Sequence, residues 1–138
     1  MQTTASTESS NDSTIPMMTD AQRDLGVIQV NNSVVAQIVR ISTLGVPGVH
    51  AVGKDRLADV LTRKESERGV RVAEDETEAY QIEVRVILDF GVELAAAGSQ
   101  IQQTIHDQVS RMTSKRVARV DVIIDGIHFE ESALVKAE

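Results

Sequence analysis

From Tyr80 to Phe90 the chain alternates with a period of two. Tyr80, Ile82, Val84, Val86, Leu88 and Phe90 fall on one side, and Gln81, Glu83, Arg85, Ile87 and Asp89 on the other. Strand side chains point alternately to opposite faces, so this run is a strand with one face in a core and one toward water. Such a strand commits the chain to a sheet whose apolar face must be covered by another layer. Val70 and Val72 alternate in the same way just upstream. The acidic run Glu74, Asp75, Glu76 and Glu78 lies between, which fits a hairpin with a solvated turn. Near the other end Val120, Val122 and Ile124 alternate with Arg119, Asp121 and Ile123, a further strand, and "GIHFE" ends the ordered part.

Two amphipathic helices supply the cover. In "NNSVVAQIVRISTL" (residues 31–44) Val34, Ile38 and Ile41 share a face, widened by Val35 and Leu44, with Asn31 or Asn32 as cap. In "SQIQQTIHDQVSRM" (residues 99–112) the apolar row is Ile101, Ile105, Val109 and Met112. Short strands are expected at "VIQV" (27–30) and "VHAV" (49–52), and a short helix on Leu57, Val60 and Leu61 leads to a charged linker ending at Gly69. The expected architecture is an α+β two-layer sandwich, a small, mostly antiparallel or mixed sheet with two main helices on one face. Residues 1–25 form a Ser/Thr-rich tail expected to be disordered, with a capping box at Thr19-Asp20-Ala21-Gln22 and Gly26 as its stop. The domain spans residues 26–130, and residues 131–138 form a C-terminal tail.

Little in the chain points to catalysis. There is no cysteine, which suits a reducing cytoplasm, and no GxSxG surrounds a serine. His50, His106 and His128 lie in separate elements without metal-ligand spacing, and the carboxylates sit on turns and exposed faces. The expectation is a protein that is not an enzyme and has no cofactor and no metal. A net charge of -7 repels phosphate polyanions. The bases Lys54, Arg56, Arg63, Lys64, Arg68 and Arg71 interleave with acids, as on a solvated helix face. Gly45-Val46-Pro47-Gly48 has the GxxG form of a KH clamp but no base between its glycines. It reads as a helix stop with Gly45 in the left-handed position and Pro47 barring continuation. No apolar stretch is long enough to span a membrane, and the start lacks a secretory signal.

Taken in order, "VNNSVVAQIVRISTLGVPGVHAVG", "GVRV", "YQIEVRVILDFGVEL", a helix ending "RMT" and "VARVDVIIDGIHF" resemble the alkaline-shock, or envelope-stress-response, proteins, found mainly in Gram-positive bacteria. The matching elements are Val46-Pro47-Gly48-Val49, Phe90-Gly91-Val92 and Ile124 to Phe129, over roughly residues 26–130. The chain departs from the family in lacking a proline at the start of its second long helix. The resemblance gives no catalytic residue to carry over. It implies a cytoplasmic, non-enzymatic structural or adaptor protein of the envelope stress response, a homo-oligomer that reaches the membrane through a membrane-anchored protein partner. No nucleic acid and no direct membrane insertion are expected. The candidate partner surface is the outward face of the sheet, where Ile87 and Ile123 form an apolar centre framed by Glu83, Arg85, Arg119 and Asp121. Two other readings stand beside it, a KH-like nucleic-acid module and a small regulatory module of metabolism.

Overall fold

The computed structural model describes residues 25–54, Leu61 and residues 64–130. The tail with its capping box, Leu57 and Val60, and the C-terminal tail lie outside the described residues. Leu61, expected to anchor a short helix, is exposed.

The long alternating run is strand β3 (Tyr80–Asp89), and Tyr80, Ile82, Val84, Val86 and Leu88 are all buried. Phe90 does not continue the inward row. The chain turns after Asp89, and Phe90 stands 72% exposed beyond the strand end. Strands β1 (Val49–Val52) and β2 (Val70–Glu74) both pair antiparallel with the same edge of β3, one after the other. Val49 faces Leu88 and Val52 faces Val86, and then Val70 faces Val84 and Glu74 faces Tyr80. Strand β4 (Val117–His128) runs parallel to β3 along its other edge. The sheet is therefore mixed.

β1 and β2 behave as one strand interrupted by an excursion. Gly53 N–H donates to the Arg85 carbonyl (2.8 Å), and Arg85 N–H donates to the Gly69 carbonyl (2.9 Å), so both ends of the excursion attach to one residue of β3. Helix α1 (Asn32–Leu44) supplies Arg40, whose Nη1 donates to the carbonyls of Val52 (2.7 Å) and Arg68 (3.0 Å) on either side of the gap. The hairpin tip is held by Asp75. Its Oδ1 accepts from Thr77 N–H (2.8 Å), Thr77 Oγ1 (2.6 Å) and Ala79 N–H (3.0 Å). The Thr77 hydroxyl, then the Ala79 amide, holds that carboxyl below its ordinary range.

Both helices pack on the face that carries the inward row of β3. The buried side of α1 is rotated from the expected stripe: Val35, Ala36, Ile38, Val39 and Thr43 go inside, while Val34, Ile41 and Leu44 remain exposed. Two apolar stripes run along this helix, and periodicity does not choose between them. The side that also offers small Ala36 and Thr43 fits the crowded contact with sheet and second helix. The buried Thr43 hydroxyl is satisfied by the Val39 carbonyl at 2.7 Å. Asn31 occupies the cap position without a side-chain capping bond.

Helix α2 (Leu94–Thr113) starts five residues before the expected Ser99, because Glu93 caps it by accepting from Ala96 N–H (3.2 Å). The extension brings Ala97 into the buried row with Ile101, Ile105 and Val109. Met112, expected in that row, lies in the last turn and is 63% exposed. Residues 27–30 are not a strand among the described residues. Both edges of β3 are taken, by β1 with β2 and by β4, and the segment joins neither outer edge of the sheet.

The stop after α1 stands where the sequence puts it, but by a different mechanism. Gly45 is right-handed (φ −82°), and Pro47 does the terminating, while Gly48 carries the positive φ of +93°. A Cβ on Gly48 would lie 2.9 Å from Val92 Cγ2, whereas one on Gly45 meets only ordinary contacts. Gly45→Ala should leave the thermal midpoint unchanged, and Gly48→Ala should cost about 2 kcal/mol. Melts of the two variants compare them directly, and equal midpoints would contradict this assignment.

Candidate functional site: the open face of the sheet

Helices cover one face of the sheet, and the other face is bare among the described residues. Parallel pairing sets Gln81 beside Arg119, Glu83 beside Asp121, Arg85 beside Ile123 and Ile87 beside Gly126. All six residues expected at this surface therefore meet on two adjacent strands. Ile87 and Ile123 lie diagonal to one another. Gly126 leaves room for Ile87, whose Cδ1 would lie 3.1 Å from a Cβ at that position.

The charges around this centre are paired within the face. Arg85 lies between two acids, with Nη1 3.2 Å from Asp125 Oδ1 and Nε 3.5 Å from Glu83 Oε2. Arg119 holds Asp121 at 3.0 Å. Glu83 and Asp121, like charges directly opposed, are tolerated because each has its own guanidinium. Such half-exposed pairs add little stability, but they fix a pattern of charge that a partner can match.

Asp125 escaped the sequence reading. A register shift between the Val86 and Ile87 pairings makes it the extra residue of a bulge, and the bulge turns it toward Arg85. Alternation alone cannot locate such a shift. At the end of the face the His50 and His128 rings stack at 3.6 Å, with His50 Nδ1 3.8 Å from Asp89 Oδ1. Phe90 and Phe129 meet edge-on at 6.2 Å, and both are exposed. The glycine loop adjoins this end, where Asp89 N–H donates to the Gly48 carbonyl (2.8 Å). Val46, between its glycines, is buried in the core, so the loop closes the sandwich. Among the described residues no cluster of three metal-ligating side chains occurs, and no helix is long and apolar enough to cross a membrane.

A small α+β domain with one helix-covered and one open sheet face is the class these features define. Residues 20–129 match the alkaline shock protein 23 family, described by a cell envelope-related function, and the chain belongs to that family. It is similar to the uncharacterized protein Spy1535 of Streptococcus pyogenes, 26% identical over 108 residues covering 78% of this chain and 84% of the relative. It is also similar to the uncharacterized protein YloU of Bacillus subtilis, 22% identical over 116 residues covering 80% and 96%. Among solved structures it resembles MamM-CTD at 12% identity and a TM-score of 0.45, over 70% of this chain and 99% of that one.

Proposed function

We propose that this protein is a non-enzymatic adaptor of the cell envelope stress response, which self-associates in the cytoplasm and docks through its open sheet face onto a membrane-anchored protein. One observation carries the reading: Ile87 and Ile123 stand together on a bare sheet face inside a frame of paired charges. An apolar centre with a polar rim is how protein interfaces are built. The family's envelope-related description supports the setting. Net charge favours a protein partner over the lipid surface itself, because a chain at -7 is repelled by anionic headgroups.

Ile87→Glu combined with Ile123→Lys should abolish co-sedimentation with native membranes. The fold should survive, since both side chains point away from the core. Purified wild-type protein should not bind anionic liposomes. Partner-free liposome binding would defeat the adaptor reading, and a folded double variant that still co-sediments would move the interface to another surface.

A further inference from the structure

One edge of the sheet is long, open and complementary to itself. Strand β4 has 12 residues, and β3 is its only strand neighbour among the described residues. The opposite edge is made of β1 and β2, which have 4 and 5 residues and are separated by the excursion. Short, broken edges resist further pairing, whereas β4 carries neither the proline nor the lysine that would guard it. The backbone groups that β4 turns outward follow from the ladder. Arg85 gives both its N–H and its carbonyl to the β1–β2 side, so in the pair Arg85–Ile123 it is Ile123 that bonds across to β3. Val120, Val122 and Ile124 therefore turn their backbone groups away from β3. The Val120 carbonyl accepts instead from the Gln102 side chain at 3.1 Å.

We infer that two copies of this chain pair antiparallel through their β4 strands, around a two-fold axis at Val122, into one continuous sheet. An axis there sets outward backbone against outward backbone, Val122 against Val122 and Val120 against Ile124 of the second copy. The side chains agree with the backbone. On the open face Arg119 of each copy stands opposite Asp125 of the other, and on the helix-covered side the valines and Ile124 meet one another. Moving the axis by one residue opposes like charges. Centred on Asp121 it sets the two Asp121 side chains together, and centred on Ile123 it sets Asp121 against Asp125 of the second copy. Centred on Val120 or Ile124 it leaves one end of each strand unpaired. Both members of the new ion pair have capacity to spare. Arg119 spends Nε and Nη2 on a single oxygen of Asp121, and Asp125 receives Nη1 of Arg85.

On the helix side the axis brings the two α2 helices face to face. There Ala95, Gly98 and Ser99 border a hollow of about 390 Å³ over Val122 and Ile124, and their small side chains let the helices approach. On the other side the two open faces join, with the Ile123 side chains on adjoining rungs, so a docking partner meets a doubled surface. The same patch serves both copies, and the pair closes on itself as a dimer. This inference rests on the self-association in the proposed function and gives it a surface and a symmetry.

Charge exchange in the full chain tests the register. Arg119→Asp opposes an acid to Asp125 across the axis, and Asp125→Arg opposes a base to Arg119. Each variant alone should dimerise at least about tenfold more weakly than wild type in analytical ultracentrifugation. Mixed in equal amounts they restore both ion pairs and should form 1:1 dimers as readily as wild type does. The chain has no cysteine, which allows a second readout. Asp121 lies opposite Ile123 of the second copy in a non-hydrogen-bonded pair, about 4.5 Å between Cα atoms and within reach of a disulfide. Asp121→Cys mixed with Ile123→Cys should cross-link on mild oxidation, and either protein alone should not. This readout decides the matter if Asp125→Arg, which gives up the Arg85 pair, does not fold. Charge variants that dimerise like wild type, a folded mixture that does not recover, or wild type that assembles while the cysteine pair stays unlinked would overturn the assignment. Each of those results leaves self-association standing and gives the β4 edge to another occupant. Wild type that stays monomeric at all concentrations would overturn both.

Discussion

Gly69→Ala is expected to lower the thermal midpoint by about 12 °C. Gly69 has φ +82°, and its Cβ would stand 2.6 Å from the Gly53 nitrogen and 2.7 Å from the Gly53 Cα. Both neighbours are backbone, so no side chain can rotate away. Positive φ and overpacking each cost about 1–3 kcal/mol, and together they come to about 3 kcal/mol. At about 4 °C per kcal/mol for a domain of this size, the shift follows. The tolerated Gly45→Ala is the natural control in the same melts. A midpoint within about 4 °C of wild type, equivalent to about 1 kcal/mol, would mean that the two chain ends can separate without harm to the sheet.

Ile105→Ala should cost about 3 kcal/mol, whereas Met112→Ala should lie within about 0.5 kcal/mol of wild type. Ile105 is fully buried between α2 and the sheet, and truncating it leaves a cavity that the mixed sheet below cannot collapse to fill. Met112 sits on the same nominal stripe but is mostly exposed. Urea unfolding of the two variants measures the contrast. Similar losses at both positions would mean that the last turn of α2 packs more tightly than its exposure indicates.

That contrast shows how far the sequence can be read. The period-two runs located β2, β3 and β4, because each has one face in the core and one in water, and that asymmetry is written in neighbouring residues. The six residues of the open face were legible for the same reason: the polar side of an alternating strand is known once its apolar side is known. What alternation does not record is how strands meet. The bulge that brings Asp125 to Arg85, and the stack of His50 on His128, arise from pairings between distant segments. α1 offered two apolar stripes, and its packing partners chose between them. The segment 27–30 has the residues of a strand yet joins no edge of the sheet, and local pattern does not record which edges are taken up.

The interruption between β1 and β2 has a consequence for how this chain can vary. The chain leaves the sheet at Gly53 and rejoins it at Gly69 on the same rung, with these two residues touching. The distance the intervening chain must bridge is thus nearly zero and independent of how many residues do the bridging. Closing a loop becomes costlier only with the logarithm of its length, about 0.6 kcal/mol for each doubling. Length and composition there can drift between relatives, or a whole additional module can be spliced in, while the register of every strand stays fixed.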